Sequence, residues 1–142
     1  MNTVGSSVNL HIIKDGKILL LRRISQRWMN GKLQIPGGHT EHGESPTEAI
    51  VREANEELGI DIATSDVKYA GTVFVSNGEN EYFAIQFQLI DPNAHEYKIM
   101  EPEKCSELVW ATISNLPDDT IAIFKDTVNQ LQDGSQYLEI AS

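Results

Sequence analysis

The stretch GGHTEHGESPTEAIVREANEELGI, Gly37 to Ile60, carries its own start and stop signals. Ser45 can cap a helix with its hydroxyl, Pro46 suits a first turn, and Glu48 stands three residues after Ser45, the spacing of a capping box. Gly59 can take the left-handed conformation that ends a helix. These signals predict one helix from Pro46 to about Leu58. At roughly 100° per residue, Glu53, Glu56 and Glu57 share an arc about 100° wide. Ala54 and Leu58, with Val51 beside them, form the neighbouring stripe, which can face a sheet.

An acidic helix face is most often simply solvated, and Glu48 with Arg52 forms the i,i+4 pair that such faces use. Glu53, however, is a like-charged neighbour of both Glu56 and Glu57, at roughly 0.2–0.5 kcal/mol of repulsion each, with nothing local to offset it. Three convergent carboxylates are hard oxygen ligands of the kind that hold Mg2+ or Mn2+, usually together with waters and substrate phosphates.

The surrounding chain reads as one domain, residues 1–142, with 40% apolar and 23% charged residues. No apolar run approaches the roughly 20 residues of a membrane span, and the N-terminus lacks a basic-then-apolar leader pattern. The lone Cys105 cannot form an internal disulfide. These features set the expectation of a cytoplasmic protein with no membrane partner. A formal charge of −10, with no basic stripe, excludes a general binder of nucleic-acid polymers. An anionic small molecule can still bind where metal ions bridge it to carboxylates.

Before the acidic segment, SVNLHII alternates apolar Val8, Leu10 and Ile12, Asp15-Gly16 supplies a turn, and ILLLRR returns as a second strand. SQRWMNGK is a loop, and LQIP is a short strand running into Gly37-Gly38. VKYAGTVFVSN and EYFAIQFQLI are two further strand candidates, the second placing Phe83, Ile85, Phe87 and Leu89 on one face. ELVWATI adds a short strand. Ile121, Phe124, Val128 and Leu131 fall at helical spacing from Asp119 to about Gln132, and Gly134 can end that helix. The pattern predicts a mixed sheet with at least two helices packed on it.

The acidic segment resembles the Nudix box, G-x5-E-x7-R-E-U-x-E-E-x-G-U with U aliphatic. It matches at Gly38, Glu44, Arg52, Glu53, Glu56, Glu57, Gly59 and Ile60, and Ala54 is smaller than the usual U. The resemblance implies an α/β/α sandwich whose box is a loop-helix-loop, and hydrolysis of a nucleoside diphosphate linked to another group. It implies that Glu53, Glu56 and Glu57 hold Mg2+ or Mn2+ together with the backbone carbonyl of Gly38. Glu44 then lies in the outer shell, and Arg52 orients the box glutamates. The segment EPEKC, Glu101 to Cys105, is similar to that of triphosphate-directed Nudix enzymes, which makes Glu101 a further metal ligand. The general base stays open between Glu53 and a carboxylate after the box, Glu101 or Glu103.

Candidate substrate contacts are Arg23 for a phosphate, Trp28 for a base, and Tyr82. Tyr82 and Phe83 must fall on opposite faces of their strand, one at the surface and one in the core. Cys105 reads as a small buried residue rather than a nucleophile, and His39 and His42 as surface residues, because hard Mg2+ prefers oxygen.

The resemblance points to hydrolysis of a nucleoside triphosphate, ordinary or oxidised, to a monophosphate and pyrophosphate. VKYAGTVFVSN lacks the proline that ADP-ribose-directed members often carry after the box, and the upstream segment matches the coenzyme A signature only in part. The alternatives are a nucleotide sensor without catalysis, a hydrolase of nucleotide sugars or dinucleoside polyphosphates, and a structural Ca2+ binder. The base preference is not legible, and a homodimer stays open because dimers are common among relatives.

Overall fold

The computed structural model describes residues 4–141. In chain order the frame is β1 (Gly5–His11), β2 (Ile13–Lys14), β3 (Lys17–Arg23), β4 (Leu33–Gln34), β5 (Gly37–His39), α1 (Pro46–Leu58), β6 (Val67–Ser76), β7 (Glu81–Leu89), β8 (Cys105–Thr112), α2 (Ala122–Gln132) and β9 (Tyr137–Ala141). The expected mixed sheet is five-stranded, in the order β5-β1-β7-β6-β9. β1 runs parallel to β7, β6 antiparallel to β7, and β9 parallel to β6. A second, antiparallel sheet is built on β3, which pairs with β8 and with both β2 and β4. Asp15 and Gly16, both at positive φ, make the tight turn between β2 and β3.

The alternation along β3 divides its side chains between two cores. Leu19 and Leu21 join Val8, Leu10, Phe87 and Leu89 beneath Ala49, Ile50, Ala54 and Leu58 of α1. Ile18 and Leu20 join Leu33, Ile35 and Val128, the last from α2. The acidic helix is thus seated by its apolar stripe, as its sequence predicts, and Val51 packs at the edge of the same core.

Two local readings are corrected, and one strand is not anticipated. Helix α2 begins at Ala122 rather than near Asp119, because residues 119–121 are tied to β4: Leu33 N–H donates to Asp119 O at 3.0 Å and Ile121 N–H to Leu33 O at 3.0 Å. Phe83 does not share the core of Phe87 and Leu89. It is 39% exposed and pairs with Phe74 at a ring distance of 5.1 Å, whereas Tyr82 is half-buried against Val73, Val75 and Ala84. The C-terminal strand β9, which completes the sheet edge, has no counterpart in the sequence reading.

Candidate active site

The box helix starts and stops where its local chemistry directs. Ser45 Oγ accepts from Glu48 N–H at 3.1 Å while the Glu48 carboxylate accepts from Ser45 N–H at 2.9 Å, completing the capping box. Gly59 closes the helix at φ 69°, a left-handed conformation that costs a side-chain-bearing residue free energy and glycine little. The last helical carbonyls have no partner within the helix. Two of them accept from the segment that follows: Lys98 N–H reaches Leu58 O at 3.0 Å and Met100 N–H reaches Glu57 O at 3.3 Å. That stitching carries Glu101 to the acidic face of α1.

One cleft of about 590 Å3 lies along this face. Gly38, Arg52, Glu53, Glu56, Glu57, Glu101 and Arg23 all line it, so seven sequence-expected residues come together from β3, β5, α1 and the EPEKC loop. Trp28 stands beside it, its ring under the Arg23 guanidinium at 4.9 Å. Tyr82 lies in the separate Val73 cluster and is not brought to the cleft. Glu103 is exposed and does not line it, whereas Glu101 does.

Arg52 is the node of the site. Its guanidinium grips Glu44 twice, at 2.8 and 3.0 Å, and donates to Glu53 at 2.9 Å, Glu56 at 3.1 Å and the His39 carbonyl at 3.1 Å. A planar fork with five donors suits this division of labour. The helical pair expected between Glu48 and Arg52 does not form, because Glu48 is occupied by the cap and Arg52 folds toward the loop. The Arg52 bonds hold the Glu44 carboxyl below its ordinary range, and the Glu44 bonds raise the Arg52 guanidinium in turn.

Glu57 accepts from Gly37 N–H at 2.8 Å, and burial, followed by the neighbouring Glu53 charge, pushes its carboxyl up to about 8. Burial also raises Glu53, against the pull of Arg52. Gly38 lets Glu53 approach the backbone closely: a Cβ built there would stand 2.5 Å from Glu53 Oε1. Burial raises the Cys105 thiol as well, which keeps it protonated and unlike a nucleophile.

Among the described residues, no three His, Cys, Asp or Glu side chains are gathered tightly enough to grip an ion as they stand. Glu53 and Glu56 are instead drawn to Arg52. The donor set nonetheless fits a hard divalent cation: it is all oxygen, and it holds two carboxyls whose charged forms burial disfavours, a cost that a cation relieves.

Sequence reasoning missed Gln34 and Lys104. Gln34 Oε1 accepts from Arg23 Nη1 at 2.6 Å, and Lys104 Nζ sits 3.3 Å from Glu101 Oε2. The alternation of LQIP sets Gln34 opposite the buried Leu33 and Ile35, which was the available signal. Lys104 had only its place within EPEKC.

Comparison with known proteins agrees with the box. A NUDIX domain matches residues 5–131. The chain belongs to the NUDIX family. Over 47 residues it is 45% identical to an 8-oxo-dGTP diphosphatase of Escherichia coli (strain K12), a stretch that is 33% of this chain and 36% of that protein. Over 49 residues it is 47% identical to an ADP-ribose pyrophosphatase of Methanocaldococcus jannaschii, covering 34% of this chain and 28% of the relative. The chain therefore spans about a third of the length of these curated relatives. The crystal structure of a MutT protein from Methanosarcina mazei Go1 superposes with a TM-score of 0.80 at 27% identity, covering 94% of this chain and 96% of that one.

Proposed function

We propose that the protein is a Nudix-type pyrophosphohydrolase that converts a nucleoside triphosphate, ordinary or oxidised, to a monophosphate and pyrophosphate. The observation that carries the reading is the Arg52 node, which binds Glu44 and holds Glu53 and Glu56 at the cleft that Glu57 and Glu101 also line. EPEKC supports a triphosphate, as does the relative named for 8-oxo-dGTP.

Divalent ions, Mg2+ or Mn2+, held by Glu53, Glu56, Glu57, Glu101 and the Gly38 carbonyl, would screen the phosphate oxygens and make water more acidic. The chain's own groups do the rest. Arg52 fixes the directions of Glu53 and Glu56, Gly37 N–H fixes Glu57, and Arg23, clamped by Gln34, meets a phosphate. Glu53 Oε is the proposed acceptor of the proton lost by the attacking water, with Glu101 the alternative base. The same reading has the protein working in the cytoplasm on a small nucleotide, with neither a nucleic-acid strand nor a membrane as partner. Among the described residues no helix is long and apolar enough to cross a membrane.

A nucleotide sugar is the second reading, favoured by the relative named for ADP-ribose. The deciding experiment is a screen of nucleotides with Mg2+, scored for pyrophosphate, phosphate and monophosphate, with an EDTA control. Pyrophosphate from triphosphates, abolished by EDTA, is expected. Inorganic phosphate as the primary product, or full rate in EDTA, would discard the reading.

A further inference from the structure

Three cationic side chains line the cleft among the described residues: Arg23, Arg52 and Lys104. Two of them are committed. Arg52 spends its donors on Glu44, Glu53, Glu56 and the His39 carbonyl. Arg23 is held by Gln34 at 2.6 Å and by the Trp28 carbonyl at 3.3 Å, and stacks on the Trp28 ring. Lys104 differs. Its one side-chain partner is Glu101, at 3.3 Å, with the lysine side chain 68% exposed and the glutamate 29%.

An exposed pair of this kind contributes little to stability, so exchanging its partner costs little. A lysine carries its charge on a long flexible stem with three donors, which suits a moving contact to a phosphate oxygen. The backbone at Lys104 is fixed, since its N–H donates to Glu101 O at 2.9 Å. Only the side chain has to move. A polyphosphate entering this cleft meets carboxylates on most sides, and Lys104 is the cation there with the fewest ties.

We propose that Lys104 is a substrate-binding residue, whose ammonium leaves Glu101 and donates to an oxygen of the bound polyphosphate. The inference rests on reading the cleft as a polyphosphate site and adds the residue that adapts to the ligand's charge. The competing role is static: Lys104 screens Glu101 and touches no ligand.

The two roles predict different magnitudes when the charge is removed, since a direct contact loses a charge-assisted hydrogen bond and a screening charge only a solvent-weakened attraction. The probe is the Mg2+ complex of inorganic tripolyphosphate, titrated calorimetrically into wild type, Lys104→Gln and Lys104→Arg. Loss of one charge-assisted hydrogen bond weakens binding about tenfold or more, so Lys104→Gln should show that drop. Its salt dependence should fall too, because one screened attraction is gone. Lys104→Arg keeps a cation within reach and should retain most of the affinity. Melting temperatures should match, since the pair is exposed. Binding by Lys104→Gln that is unchanged or tighter, failure of Lys104→Arg to retain affinity, or a wild type that does not bind the probe would each overturn the inference. Pyrophosphate release from nucleoside triphosphates is scored separately on the same proteins. A wild type that binds tripolyphosphate through Lys104 yet cleaves no triphosphate would overturn the proposed function and leave this inference standing.

Discussion

Replacing Gly38 by alanine tests the site through a single methyl group. The backbone at Gly38 is not in the left-handed region, so alanine brings no conformational strain of its own. The new Cβ would lie 2.5 Å from Glu53 Oε1, 2.7 Å from Glu53 Cδ and 2.9 Å from Glu53 Oε2. Ordinary carbon contacts begin near 3.5 Å, so the carboxylate must retreat by about 1 Å. The methyl meets a side-chain end rather than backbone, and the fold can absorb it. The Glu53 carboxylate cannot move that far and keep its 2.9 Å bond to Arg52 Nη1. A displacement of about 1 Å at a reacting group can cost roughly 100-fold in rate, and this is the expected loss in turnover. The Gly38 carbonyl survives the substitution, so the loss would report the movement of Glu53. The assay is steady-state pyrophosphate release at saturating Mg2+, paired with a thermal melt. A variant that melts like wild type and turns over within twofold would refute the claim that Glu53 must stand against Gly38.

Arg52→Lys keeps the charge but not the fork, so it should lower activity by roughly 10- to 100-fold, the usual cost of losing an outer-shell partner; steady-state kinetics read this. In Glu57→Gln the raised carboxyl is removed. The wild-type group takes up protons on folding between its ordinary value of 4.5 and about 8, so its contribution to the stability of the metal-free protein should fall as pH rises through that window. Melts in EDTA should show the wild type losing stability relative to the variant as pH rises through that window, and parallel curves would contradict the account. His11 is the opposite case: burial lowers it from 6.5 to about 4, and its Nε2 donates to Gln86 Oε1 at 2.7 Å. The unfolded chain binds the extra proton below pH 6.5, so the His11 contribution to stability should be level above that value. It should then fall by about 3 kcal/mol in total as pH drops to 4. Denaturant midpoints of wild type and His11→Gln across this range measure it, and parallel curves would contradict it.

What the sequence disclosed, it disclosed through local chemistry. The limits of α1 follow from Ser45, Pro46, Glu48 and Gly59, each acting on the backbone within a few residues, and the box spacing placed three acids on one face without any knowledge of the fold. The errors are non-local. The start of α2 depends on hydrogen bonds between residues 119–121 and Leu33, far away in sequence. β9 runs parallel to β6, a pairing with no hairpin signal to announce it. Alternation separated Tyr82 from Phe83, but which of the two is covered depends on Val73, Val75 and Leu138, from other strands. Gln34 and Lys104 are ordinary polar residues until folding sets them beside Arg23 and Glu101.

The repulsion on the box helix calls for a positive charge, and part of that charge belongs to the chain itself. Arg52, expected to serve Glu48, instead binds Glu44, Glu53 and Glu56 together. One guanidinium shared by three carboxylates does not balance them. Glu57 and Glu101 remain: Glu101 is paired with the exposed Lys104, and Glu57 feels the Arg23 charge without an ion pair among the described residues. Burial first, and the neighbouring Glu53 charge second, raise Glu57 to about 8, and a proton taken up there also reduces the excess negative charge. A divalent cation would reduce it further and without protonation, and a polyphosphate would restore it. Cation and ligand are therefore coupled at this cleft: each makes the other's charge tolerable. Affinity for tripolyphosphate should accordingly fall away when Mg2+ is withheld, and more steeply than screening by monovalent salt at equal ionic strength can explain.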